Sequence, residues 1–356
     1  MLSHTLVRHH WQPPGCTVVG VALRLVAATG DSVAVVDGVP DRPNVSIGLE
    51  GSGAQCVAVD SNDPARIVAG TLDRGIFLSR DAGRSWDDVT GSIPNKRVLS
   101  AAFSPCDQSN GRSVIYAGTE PSSVYRSRDD GESWEDLETL RELPSAPTWS
   151  FPPRPWTHHV RWIAPHHTNA QILFVGIELG GVLRTLDGGA TWDDRHPEAV
   201  IDPHVLRTHP VATDRVYAVG GDGISFSVDT GHGWQRDVDG MDRFYSWGLA
   251  VDPEDPELWY ASASTGPMQA HGDGDAQARL YRRTARASWQ PLDLDGLGGV
   301  SSALTRMPYA LAAPEHSTLV VGLRDGVVLL TRDAGETWHT PNVRLPGILA
   351  LAVASV

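Results

Sequence analysis

The chain has 356 residues, a formal net charge of −14, and 36 Gly, 25 Pro and 12 Trp against only 20% charged residues. That length accommodates one large all-β unit, and the Gly, Pro and Trp content is that of many short strands joined by tight turns rather than of a helical bundle. The acidic balance, with no run of Lys or Arg, excludes nucleic acid as a natural partner, while Cys16, Cys56 and Cys106, without paired spacing, exclude a disulfide framework and a thiolate zinc site.

From the N-terminus, residues 1–15 read as a loose leading segment. Residues 16–30 are the one signal-like apolar run, but Pro13 and Pro14 precede it and Arg24 interrupts it, so it reads as strand. It also falls short of the ~20 apolar residues that cross a bilayer as a helix. These features point to a soluble, cytoplasmic protein with no membrane partner. Strand-like sequence covers residues 18–36, and three β-rich runs follow at 56–59, 67–70 and 75–78, with an Asp63-Pro64 turn between the first two.

The third run leads into residues 79–86, the first copy of a template Ser/Thr-x-Asp-x-Gly-x-x-Trp. Further copies occupy residues 127–134, 185–192, 227–234 and 331–338, and a degenerate one ends at Trp289, with Thr284 and Arg286 in place of the Asp and Gly. The Trp spacings of 48, 58, 42, 55 and 49 residues suit four-stranded blades. As a hairpin turn the template has a physical reading: the carboxylate accepts backbone N–H groups, Gly supplies a positive φ, and Trp buries its ring between sheets. Asp81, Asp129, Asp187, Asp229 and Asp333 are therefore structural. Six blades are visible, and strand material remains at both ends, at 348–353 and 18–36. A seventh blade built from a C-terminal strand a and N-terminal strands b, c and d closes the ring, so residues 1–356 read as a single seven-bladed β-propeller domain.

The template is the Asp-box, or BNR, repeat, and residues 54–340 resemble the propellers of sialidases, xyloglucanases, sortilin-type receptors and photosystem assembly factors. The resemblance implies different chemistries. Sialidases carry a Phe/Tyr-Arg-Ile-Pro motif, an arginine triad, a Tyr–Glu pair and an Asp acid, and the motif is absent here. Xyloglucanases of this type place one carboxylate on each of two tandem propellers, and this chain supplies one ring. Sortilin-type receptors add a larger ring and a cysteine-rich module. Photosystem assembly factors match the ring size and are non-catalytic.

In such a blade the a–b and c–d turns share one face, and the b–c and d–a loops share the other. The second face carries two insertions: residues 138–157, with Trp149 and Trp156, and residues 264–278, with His271, Asp273 and Asp275. Toward the same face the inner strands bring His158, His159 and Arg161 in blade 3, Asp202 and His204 in blade 4, and Tyr245 and Trp247 in blade 5, with Glu178 in the b–c loop of blade 3. His166 and His167 cap the opposite end. We expect a site for a polar small molecule or glycan at the mouth of blades 3–5, with a glycosidase-like hydrolase as its chemistry. Asp202, Glu178 and Tyr245 are its candidate catalytic residues, Arg161 its anion anchor, and Trp149, Trp156 and Trp247 its stacking surfaces. His158 or His159, with Glu178 and His204, would suit a divalent metal such as zinc, copper, iron or manganese. The alternative is a non-catalytic scaffold that docks a protein partner.

Overall fold

The computed structural model describes residues 21–294 and 304–356. The leading segment 1–15, Cys16 and the start of the strand run at 18 lie outside them. The described residues form seven antiparallel sheets and almost no helix, and among them no helix is long and apolar enough to cross a membrane.

Each blade grades outward from a channel. In blade 1 the inner strand Ala54–Asp60 alternates buried and half-buried residues, Asp63–Thr71 and Ile76–Ser79 are largely buried, and Asp87–Asp88 is exposed. Second strands such as Leu173–Ile177, Val216–Gly220 and Leu319–Leu323 are buried throughout because both of their faces pack against neighbouring sheets, which is why they read as unbroken apolar runs. In blades 3 and 6 the fourth strand is reduced to isolated bridges, Arg184 to Asp193 in blade 3 and Val327 to Arg344 and Leu330 to His339 in blade 6.

The ring closes as the sequence predicts. Ala350–Ser355 pairs antiparallel with Leu23–Ala28, which continues to Val33–Val39 and Asn44–Gly48. This C-terminal inner strand also packs against the inner strands of blades 1 and 6, completing the circle.

The repeat turns have one geometry. In the first, Ser85 donates both its N–H (2.8 Å) and its hydroxyl (2.6 Å) to Asp81, and the Gly83 N–H donates to Ser79 Oγ at 2.8 Å. The residue before Gly also has a positive φ: Ala82 at 63°, Thr230 at 58° and Ala334 at 59°. Its N–H donates to the a–b turn of the same blade, Ala82 to Ala65, Thr230 to Asp214 and Ala334 to Ser317, each at 2.8 Å. The turn therefore staples c–d to a–b, and the two share a face. The Trp burial is less uniform than expected: Trp134, Trp234 and Trp289 are buried, whereas Trp86, Trp192 and Trp338 are half-buried. Blade 5 lacks the template because a tight hairpin pairs Thr284 with Ala287 directly.

On the other face, the Gly221 N–H donates to the Asp202 carbonyl and the Gly30 N–H to the Ala54 carbonyl, each at 3.0 Å. These bonds tie b–c turns to the starts of inner strands. The 138–157 insertion folds into short 3-10 turns, Glu138–Glu142 and Ala146–Thr148, and the 264–278 insertion carries the helix Pro267–His271.

Candidate functional site at the mouth of blades 3–5

Three neighbouring inner strands, Val160–Pro165, Pro203–Thr208 and Tyr245–Val251, begin at this mouth and determine what faces it. His204 is 0% exposed, and its Nδ1 lies 2.7 Å from the Ser246 carbonyl of the next blade. A carbonyl only accepts, so Nδ1 carries the proton and Nε2 presents a lone pair. That Nε2 has no hydrogen-bond partner among the described residues and stands 3.7 Å from Asp202 Oδ2. Burial pushes His204 down to about 4, so the ring is a neutral base at pH 7.

Glu178 follows its strand directly and reaches back, so that His159 Nε2 meets its Oε2 at 3.0 Å, with Arg161 Nε 3.9 Å away. Burial works to raise this carboxyl, but the His159 hydrogen bond and the surrounding cationic groups prevail and hold it below the ordinary range. Asp202 goes the other way: burial, then the Glu178 charge, raise it to about 7. The Leu179 N–H donates to Asp202 Oδ1 at 3.2 Å, while Asp222 accepts the N–H groups of Ile201 and Asp202 and is itself held by Arg236. Gly221 leaves the room that the Asp202 carboxylate occupies, since a Cβ there would overlap Oδ2. One ligand atom each from Glu178, Asp202 and His204 lie within 4.8 Å of one another, an arrangement able to hold a metal ion.

A second network lies beside this cluster. Tyr309 donates its hydroxyl to the Ala270 carbonyl (3.1 Å), so it accepts from His271 Nδ1–H (2.8 Å), which leaves His271 Nε2 to accept the Tyr245 hydroxyl at 2.7 Å. Every proton in that chain is assigned by its acceptor-only end. Burial raises the Tyr245 phenol far above its usual value, with the Asp202 and Glu178 charges adding to the shift.

This geometry places four of the expected residues or residue sets in specific surroundings. Tyr245, expected as a catalytic residue, is tied into the second network, its hydroxyl donating to His271 Nε2 and its ionisation disfavoured by burial. Trp149 is no stacking surface: it is buried under Gly180 and Ile177, and its indole N–H donates to Ser145 at 2.9 Å. Trp247 is half-buried and packs with the Arg161 guanidinium at 4.8 Å, His204 at 4.1 Å and His271 at 4.5 Å. His158 packs edge-on against Trp149, and His159 is a partner of Glu178, so neither stands where the expected metal set placed it. Trp156 is 80% exposed on the inserted loop. The predicted caps divide: His166 Nδ1 accepts the N–H groups of Thr168 and Asn169, whereas His167 lines the channel.

The roles of Ser246, His271, Tyr309 and Gly221 were not read from sequence. His271 stands out in sequence only as a polar residue in a long loop, and Ser246, between Tyr245 and Trp247, carries no signal of its own. Glu120, in the b–c turn of blade 2, pins the 138–157 insertion through Arg154, with N–O distances of 2.9 and 2.6 Å. Below the mouth the channel widens into a cavity of about 390 Å³ lined by inner strands, where Arg207 lies 4.7 Å over Trp162.

No family model matches the chain, and no curated protein matches it. Solved structures do. A GH74 xyloglucanase from Xanthomonas campestris is 16% identical, with a TM-score of 0.60 over 90% of this chain and 47% of its own. An ancestral GH74 enzyme is 17% identical, with a TM-score of 0.60 over 91% of this chain and 40% of its own. This chain thus spans less than half the length of either enzyme. YCF48 bound to D1 peptide is 16% identical, with a TM-score of 0.55 and 82% of each chain covered. At these identities the likeness is one of fold: this chain shares the β-propeller with glycan-acting enzymes and with a peptide-bound protein.

Proposed function

We propose that the mouth of blades 3–5 binds a polar, hydroxyl-rich small molecule, a glycan in the first instance, and that its chemistry is hydrolysis. The observation that carries this reading is the convergence of Glu178, Asp202 and the bare, buried Nε2 of His204, delivered by two blades, with the two carboxylates still open to solvent. Glu178 and Asp202 keep 13% and 18% side-chain exposure. Carboxylates and a neutral imidazole are acceptors for sugar hydroxyls and bases for an attacking water. Arg161, supported by Trp247, supplies positive charge beside them, and Trp156 offers an exposed ring for stacking. The GH74 neighbours support the reading only in that related rings include a xyloglucanase.

The test is a screen of oligosaccharides and aryl glycosides by thermal shift and product release. A ligand that raises the melting temperature of the parent should lose at least tenfold in affinity with Glu178→Gln. If no glycan binds or is cleaved, the reading fails. Docking of an extended peptide at the same mouth is the second reading, favoured by the peptide-bound YCF48 ring of matching length; it would show as peptide-array binding that Glu178→Gln leaves intact.

A further inference from the structure

The cluster at the mouth poses an electrostatic problem that its own residues do not solve. His204 Nε2, fully buried, points a lone pair toward Asp202 Oδ2 at 3.7 Å, and Glu178 brings a second carboxylate, with all three ligand atoms within 4.8 Å of one another. No hydrogen bond links the three ligand atoms to one another among the described residues, and His204 Nε2 has no partner there. A buried imidazole nitrogen without a partner loses its hydration and gains nothing in return. The separation is informative too. At 3.7 Å it is too long for a hydrogen bond, yet two ligands each about 2.1 Å from one ion stand about 3.4–3.6 Å apart at tetrahedral to trigonal angles.

The far side of each side chain is anchored independently. His204 donates Nδ1–H to the Ser246 carbonyl, Asp202 Oδ1 accepts the Leu179 N–H, and Glu178 Oε2 is met by His159 Nε2. This outer layer fixes the histidine tautomer with Nε2 free, and it leaves the inward oxygen of Asp202 unclaimed, which is how metal ligands are oriented in proteins.

We propose that Glu178, Asp202 and His204 hold one divalent first-row ion, zinc or manganese, in a site of one nitrogen and two oxygens. Imidazole with carboxylates suits those ions better than magnesium or calcium, which prefer an all-oxygen shell. Three protein ligands leave a position for water or a substrate oxygen, the arrangement of a catalytic rather than a structural site. The histidine expected from sequence as a ligand, His159, holds Glu178 in place, and Asp202 takes its position in the set. The inference deepens the reading of this mouth as a ligand site and rests on it for the role of the open position.

Chelator-treated full-length protein, titrated with zinc chloride and with manganese chloride by calorimetry, should bind one ion per chain and gain thermal stability. Because His204 is fully buried and its removal endangers the fold, Asp202→Asn and Gly221→Ala carry the test. Gly221→Ala adds one methyl group that meets Asp202 Oδ2 and the edge of the Tyr245 ring without changing any of the three proposed ligands. Affinity should fall at least a hundredfold with Asp202→Asn and at least tenfold with Gly221→Ala, with far-ultraviolet circular dichroism unchanged. No saturable equimolar binding by the parent, or binding that both variants preserve, overturns the metal site. Glycan binding by the metal-free protein together with no ion bound by the parent would remove the ion and leave the ligand site standing, whereas an ion bound at these residues with no glycan recognised would do the reverse.

Discussion

At the scale of single residues, proton assignment separates groups that hold the mouth together from groups free to act. Tyr245 belongs to the first kind. Tyr245→Phe removes the donor to His271 Nε2 and should cost on the order of 1 kcal/mol, read as a lower melting temperature, with glycan binding at the Glu178 side preserved. A Tyr245→Phe protein of parental stability that has lost all hydrolytic activity would return Tyr245 to the reacting groups. The sector itself was legible in sequence, because alternation along inner strands says which residues begin a strand and face the channel. The roles within it were not. Whether Tyr245 is free depends on His271, 26 positions away, and the tautomer of His204 depends on Ser246 of the next blade. Nor does the sequence show that Arg161 and His204 cover Trp247, since ring contacts across blades follow from the radius of the channel and not from any local pattern.

At the scale of elements, the repeat turn was read nearly whole, since a template recurring five times states its own geometry. What escaped was the N–H of the residue before Gly, whose bond to the a–b turn is invisible in a pattern that leaves that position free. The turn also predicts a response to acid. The Ser85 hydroxyl and N–H draw Asp81 down to about 2, and Thr191 and the Gly233 N–H lower Asp187 and Asp229 likewise. A carboxyl with a depressed folded-state value contributes stability above its unfolded value, near 3.8, and loses it as pH falls toward the folded one. Asp81→Asn should therefore be less stable than the parent at pH 7, with the gap narrowing by pH 2–3 in urea titrations; a gap that widens on acidification would contradict the sign. The Trp positions recur at blade-length spacing in sequence, even where the copy ending at Trp289 is degenerate, but differ in packing. Trp289 is 1% exposed and donates to Asp237 at 3.0 Å, whereas Trp192 is half-buried with an unbonded indole N–H. Trp289→Ala should cost roughly 3–5 kcal/mol and Trp192→Ala clearly less, as urea midpoints would show.

At the scale of the whole molecule, blades are joined by packing, with local polar ties added. Between blades 1 and 2 the buried Arg66 bridges Asp60 of its own blade and Asp130 of the next, so a repeat turn also helps to register neighbouring sheets. The termini are the one place where a blade depends on two distant parts of the chain. Ala350–Ser355 pairs with Leu23–Ala28 at six consecutive positions, and Leu351 and Ile348 join a core with Leu23, Leu25 and Val36. That pairing was legible as unassigned apolar strands at both ends, because a ring of sheets leaves no stable place for an unpaired inner edge. Deleting residues 346–356 would remove the inner strand of blade 7, expose the edge of Leu23–Ala28, and open the channel wall between blades 6 and 1. The truncated chain should melt well below the parent and self-associate through the freed edge, which light scattering during a thermal ramp would detect. A peptide of residues 346–356 added in trans should reverse both effects in part, because it restores a strand whose register is set by alternating burial on a fixed partner. If the truncated chain stays monomeric with parental stability, the terminal strand does not hold the ring closed, and the six remaining blades must carry the circle through their own packing.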